Sequence, residues 1–368
     1  MRRTADRAMG QSRAVRWVLA VVAGCLLAAC ASASGGAEVA FVTTTGSAGQ
    51  SVELGGLTGD AGSPTEAQPA AARAVTGVDG VEQLVPERPE RVVTLSEPTL
   101  DGALALGVTP VGTIAARGQS GVAPYLDGRA SAIALVGIVA QPNLEAIATL
   151  DPDLILVDGT SVNNNPSTVE LLRQIAPTVF TGYAGGDWRD NLLLTGLALG
   201  RVTEQEQVLL DYQLRVADIA GRLGPNKDAE ISIVRAQNNG FSLILKELPP
   251  GLVLTDLGLR RPPAQDRVGR GHSEPISNES LDYIDGDWIF FGTLGGSSVG
   301  NPGSGGSADS AAAEAAIAEA AAAVPGFTDL GAYRSGQIVP VDGSAWTSTG
   351  GPLLIDTILD DIERSLAG

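Results

Sequence analysis

Few side chains in this chain could do covalent or metal chemistry. Its only cysteines are Cys25 and Cys30, and its only histidine is His272. A Ser-His-Asp hydrolase would need His272 as its base. The one formal G-x-S-x-G, Gly296-Ser297-Ser298-Val299-Gly300, continues into Asn301-Pro302-Gly303 rather than into the helix a nucleophile elbow requires. His272 also precedes that serine, the reverse of the chain order in α/β-hydrolases. Zn²⁺ or Mn²⁺ would take about four to six His and carboxylate ligands, so a bare transition metal is disfavoured and an already chelated one is allowed. The chain is expected to be no enzyme and to carry no resident metal or cofactor.

Carboxylates and arginines are more informative. The run Pro142-Asn143-Leu144-Glu145-Ala146-Ile147-Ala148-Thr149-Leu150-Asp151-Pro152-Asp153-Leu154-Ile155 recurs in form as Ile276-Ser277-Asn278-Glu279-Ser280-Leu281-Asp282-Tyr283-Ile284-Asp285-Gly286-Asp287-Trp288-Ile289. Each copy reads as a short helix with Glu in its first turn, where the macrodipole favours an anion. Asp-x-Asp then turns the chain into a core strand. One such glutamate would read as a helix-start residue. Glu145 and Glu279, at equivalent places in two copies, make a pair of charged pegs at two lobe tips. Arg235 follows the apolar run Ile233-Val234 and precedes the polar Ala236-Gln237-Asn238-Asn239, which places it at the end of a strand.

The elements that must hold these residues follow from patterning. Arg2, Arg3, Arg7, Arg13 and Arg16 precede an apolar run over residues 17–29 that is too short to span a bilayer. It closes on Leu27-Ala28-Ala29-Cys30, which looks like a bacterial lipobox. The alternative box ending at Cys25 leaves a shorter apolar run, so Cys30 is preferred as the acylated first residue of the mature chain. Loss of residues 1–29 removes five Arg and one Asp and carries the formal net charge from −18 to −22. So acidic a chain is unsuited to nucleic acid or to an anionic membrane surface. Residues 30–87, largely Ala, Gly, Ser, Thr and Pro, read as a disordered tether. Beyond them, short apolar strands alternate with helical stretches, first over residues 88–186 and again over 225–368, giving two α/β lobes. Between them, in a linker region over 187–224, Thr203-Glu204-Gln205-Glu206 is a capping-box pattern. Leu209, Tyr212, Val216, Ile219 and Leu223 follow at helical spacing, predicting a long helix over 203–223 that runs roughly 30 Å.

Taken together, Arg91-Val92-Val93-Thr94-Leu95, Ala105-Leu106-Gly107-Val108, Pro142-Asn143-Leu144-Glu145 and Pro152-Asp153-Leu154-Ile155-Leu156 resemble the helical-backbone substrate-binding lipoproteins of ABC importers. The iron(III) siderophore and ferric dicitrate branch is the most similar. Ser232-Ile233-Val234-Arg235, Leu257-Gly258-Leu259-Arg260 and Gly350-Gly351-Pro352 in the second lobe match it too, and the resemblance covers about residues 88–366. It implies two Rossmann-like α/β lobes joined by a single long helix, with a ligand cleft between them. It also implies an extracytoplasmic, lipid-anchored monomer that delivers its ligand to an ABC permease dimer, whose arginines meet Glu145 and Glu279. The Gly/Ser-rich run over 295–310 and the Ala-rich helix over 311–323 depart from that pattern.

Ferric siderophores are bulky and often anionic, so their sites combine arginine forks with aromatic walls. The candidates at strand ends facing the implied cleft are Ser96 after the first strand, Arg117 after the second, Tyr125, Tyr183, Trp188, Arg235 and Trp346. Arg270 and His272 lie in a polar stretch over 265–273 at its edge. Haem and cobalamin remain alternative ligands of the same fold, haem favouring an axial Tyr or His. A cell-envelope lipoprotein with a structural or interaction role is the remaining alternative.

Overall fold

The computed structural model describes residues 71–159, 162, 165–183, 186–237, 240–269, 273–294 and 308–367. Cys25, Cys30, the signal segment, Arg270, His272 and the Gly296–Gly300 motif lie outside the described residues.

The first folded element is an antiparallel hairpin of β1 (Ala72–Thr76) and β2 (Glu82–Pro86). This corrects the expectation that the tether continues to residue 87. Val75 and Val85 are buried in the main core, one per strand. The Arg73 guanidinium donates to the carbonyls of Leu197 at 2.8 Å and Ala198 at 2.7 Å, which are orphaned at a helix end. One inward valine per strand is too thin an alternation to stand out in a sequence window.

The first lobe continues through β3 (Val92–Thr94), α1 (Glu97–Ala105), β4 (Gly112–Ala115), α2 (Asp127–Ala130), β5 (Ala134–Ile138) and β6 (Gln141–Pro142). It closes with α3 (Leu144–Thr149), β7 (Leu154–Val157), α4 (Pro166–Arg173) and β8 (Thr178–Phe180). Its strands order as β6-β5-β4-β3-β7-β8, every pairing parallel except β5 with β6. The Leu-Ile-Leu-Val of β7 is apolar throughout because a central parallel strand is covered on both faces.

Two helices follow, α5 (Trp188–Leu199) and α6 (Val202–Arg222), the latter burying Tyr212, Val216 and Ile219 on one face. The long helix thus lies within a residue of its expected bounds. The second lobe comprises β9 (Ile231–Gln237), β10 (Gly240–Leu243), α7 (Pro249–Asp256), β11 (Glu274–Ile276), β12 (Trp288–Thr293) and α8 (Ser310–Ala323). It ends in α9 (Gly331–Arg334), β13 (Ile338–Pro340), α10 (Gly343–Trp346) and α11 (Pro352–Leu366). Here the order is β11-β10-β9-β12-β13.

In both sheets the chain turns back beside its first core strand, β3 in one and β9 in the other. Open α/β sheets bind ligands outside the carboxyl ends of the strands at such switch points. The lobes are not separate in packing. Val92, Leu154 and Val179 of the first, Trp188 and Ile219 of the connecting helices, and Ile233, Phe290 and Ile358 of the second belong to one apolar cluster.

The repeat has a structural reason. Asp153 accepts from the backbone N–H of Glu90 at 2.7 Å and of Arg91 at 3.0 Å, at the start of β3. Asp287 accepts from the N–H of Glu230 at 2.8 Å, at the start of β9. In each lobe the second Asp of Asp-x-Asp caps the entry of the neighbouring central strand, satisfying donors the ladder leaves free.

Candidate functional site

Arg235 ends the buried run Ile231 to Val234 on β9 and is itself 8% exposed. Its Nη1 donates to the Thr347 carbonyl at 3.2 Å and its Nη2 to the Ser273 hydroxyl, while Nε has no hydrogen-bond partner among the described residues. Arg117 follows β4, and its backbone N–H donates to Oε1 of the buried Glu97 at 2.7 Å. The Arg117 Nε and the Glu97 Oε2 are also without a partner among the described residues. Burial first, and the like charge of Arg117 second, push the Arg235 guanidinium down to about 10, so it stays protonated at neutral pH. Neither arginine forms a salt bridge with a described residue. Two cations brought together at the carboxyl ends of two sheets, with donors to spare, can accept a shared anion.

Tyr125 has a different task from the ligand wall expected of it. Its hydroxyl donates at 3.0 Å to Asp101, a fully buried residue of α1. Asp101 also accepts from the backbone N–H groups of Leu353 and Leu354, each at 2.9 Å, in the first turn of α11, and from that of Gly351 just before it. Burial raises the Asp101 carboxyl to about 6 against the opposing pull of these hydrogen bonds. Burial, followed by the Asp101 charge, drives the Tyr125 hydroxyl well up.

Two of the expected contacts, Trp346 and Ser96, are core or cap residues instead. Trp346 is wholly buried, stacked on Phe290 at 4.2 Å, and its indole N–H donates to Asp361 at 2.7 Å. The expectation places it at a strand end facing the cleft, but α10 turns the ring inward. Trp188 is largely buried, edge-on to Tyr212 with the Arg189 guanidinium over its ring at 5.0 Å, yet it lines the same cavity as Tyr183 and its indole N–H has no partner among the described residues. Ser96 is the N-cap of α1, its hydroxyl accepting from the Thr99 N–H at 3.2 Å, so it has no free reach into a cleft. Tyr183 is exposed, donates to the Val78 carbonyl at 3.1 Å, and lines a cavity of about 110 Å³ between the lobes with Asp158, Thr181, Asn191 and Thr349. The sequence reading missed Glu97 and Asp101. An acidic residue at position 101 amid Leu100, Ala103 and Leu104 was the available signal for the second.

Among the described residues no group of three or more His, Cys, Asp and Glu could hold a metal ion, and no helix is long and apolar enough to cross a membrane. The profile of a family described as periplasmic binding protein matches residues 92–345. The chain belongs to that family. It is 30% identical to the probable siderophore-binding lipoprotein YfiY of Bacillus subtilis over 309 residues, 83% of this chain and 90% of that one. Identity to the achromobactin-binding periplasmic protein of Dickeya dadantii is 31%, covering 75% and 86%. Among solved structures, Staphylococcus aureus SirA complexed with staphyloferrin B superposes with a TM-score of 0.65 at 25% identity, over 80% of this chain and 98% of that one.

In this periplasmic binding protein both repeat glutamates are exposed, but their settings differ. Glu145 lies in the first turn of α3, capped by Asn143, whose side chain accepts from the Ala146 N–H at 3.1 Å. Glu279 lies in a turn before a single 3₁₀ turn over Leu281–Tyr283, its N–H donating to the Ser277 hydroxyl at 3.2 Å. The expected second helix is therefore replaced. Gly286 is packed against the Glu230 carbonyl, and the chain enters β12 nine residues after Glu279, the same spacing as from Glu145 to β7.

Proposed function

We propose that this periplasmic binding protein captures an anionic ferric siderophore between its lobes and passes it to an ABC permease, acting by binding alone. The observation that carries the reading is Arg235, a nearly buried cation with Arg117 as its charged neighbour and no carboxylate partner among the described residues. Burying a charge is costly unless it is paired, and a carboxylate or catecholate oxygen of a ferric chelate would supply the pair. The ligands for which its relatives are named, siderophores and ferric citrate, are of that chemistry. Arg117 and Arg235 are the proposed anion contacts and Tyr183 an exposed aromatic at the rim. Glu145 and Glu279 are the proposed pegs for the permease dimer.

Acylated Cys30 would hold the protein on the outer face of the membrane, each buried methylene adding roughly 0.8 kcal/mol. Mass spectrometry of the mature N-terminus tests that part, and a chain starting anywhere but at a lipid-modified Cys30 removes it. Titration of intrinsic tryptophan fluorescence with ferric citrate, a ferric catecholate and a neutral ferric hydroxamate tests the ligand class. The anionic chelates should quench saturably, and a protein that answers only to haem or cobalamin would overturn the proposal.

A further inference from the structure

We propose that Asp101 is a positioning residue, which locks the first helix of the N-terminal lobe onto the last helix of the C-terminal lobe and so sets where Arg235 stands relative to Arg117. The functional half of this rests on reading the two arginines as the anion contacts.

The lock is a helix cap supplied from 252 residues away. The residue before α11 is Gly351, which has no side chain to cap with, and the first helical position is Pro352, which has no N–H. Leu353 and Leu354 are therefore left with the orphan donors every helix start carries. The Asp101 carboxylate takes one on each oxygen, and Tyr125 donates to Oδ2 as well. The approach is close enough to dictate sequence. A Cβ on Gly350 would come within 2.6 Å of the Tyr125 hydroxyl oxygen, and one on Gly351 within 2.8 Å of Asp101 Oδ1.

Helix α1 connects this lock to both arginines. Asp101 and Glu97 are four residues apart and so share one face of the helix. Glu97 holds the main chain of Arg117. At the other end, α11 fixes the segment leading back to Thr347, whose carbonyl accepts from Arg235. One helix face thus fixes both cations, Arg117 directly and Arg235 through the start of α11.

The test combines hydrogen exchange with a double-mutant cycle on the full chain, using ferric citrate as the probe. Asp101→Asn should speed amide exchange in the first turn of α11 by roughly 3- to 30-fold, the range set by loss of a cap. Tyr125→Phe, which keeps the carboxylate, should leave the Leu353 and Leu354 amides as protected as in the parent. Asp101→Asn should also weaken ferric citrate binding in the parent, and have little further effect in an Arg235→Ala background, because it acts through that arginine. Unchanged exchange in Asp101→Asn overturns the lock. An equal loss of affinity in both backgrounds overturns the positioning role. If the parent binds no ferric citrate, the reading of the cleft fails, and the exchange measurement still decides the lock.

Discussion

Two buried charges sit between the lobes of this protein, and they are treated in opposite ways. Asp101 takes hydrogen bonds from the backbone of the other lobe and from Tyr125, and both its oxygens are engaged. Arg235 has five N–H donors to place but among the described residues meets only the Thr347 carbonyl and the Ser273 hydroxyl, beside the like charge of Arg117. A charge saturated by its own chain fixes structure. A charge left short of acceptors has donors to offer an anion from outside, the role proposed for Arg235.

The most damaging change should strike the apolar floor beneath both charges. Trp346→Ala removes a wholly buried ring stacked on Phe290 and takes one donor from the Asp361 carboxylate, leaving it to Arg364 at 2.8 Å. It should cost about 3–5 kcal/mol of unfolding free energy, measured by urea denaturation. A loss below about 1 kcal/mol would return Trp346 to the cleft wall.

Asp101 sharpens the comparison through pH. Its carboxyl is raised to about 6 from 3.8 by burial, so the folded state holds the proton more tightly than the unfolded chain does. Its contribution is complete below the unfolded pKa and is lost as pH rises through about 6. Relative to Asp101→Asn, the parent should lose up to about 3 kcal/mol between pH 4 and pH 7. Tyr125 is its titratable partner and is itself faced by Glu97 and Asp342; burial raises Asp342 as well, but that residue is present in parent and variant alike and cancels in the comparison. A parent that gains stability over this range relative to the variant would contradict the burial account.

The smallest effect on binding is expected at the exposed glutamates. Glu145→Ala with Glu279→Ala should leave ferric chelate affinity within error while uptake into cells falls, and the difference from the parent should narrow at raised ionic strength, since exposed charges are screened over about 8 Å at physiological salt. Lost ligand affinity would move the glutamates into the cleft, and unimpaired uptake would make them helix-start and turn residues alone.

Much of the fold could be read from the chain because its signals are local. The apolar runs around Val92, Leu154, Ile231 and Ile289 are strands, and the period from Leu209 to Ile219 is a helix near its expected bounds. Side-chain direction was harder. Trp346 and Ser96 sit near strand ends as ligand contacts would, yet one turns into the core and the other caps α1. Nothing within a sequence window separates those outcomes, since tertiary partners decide them. Asp101 is the extreme case, because the amides it serves lie on the last helix. The hairpin of β1 and β2 escaped notice for a similar reason: its burial depends on α5 and the core, not on its own pattern.

The most direct test is the affinity of Arg235→Ala for ferric citrate, measured beside its unfolding free energy. Loss of one charge-assisted contact should weaken binding by about 1.5–3 kcal/mol, roughly 10- to 150-fold. Stability should fall little, since the arginine has few partners of its own. A variant that binds ferric citrate as tightly as the parent would show that the under-coordinated charge is not the ligand's.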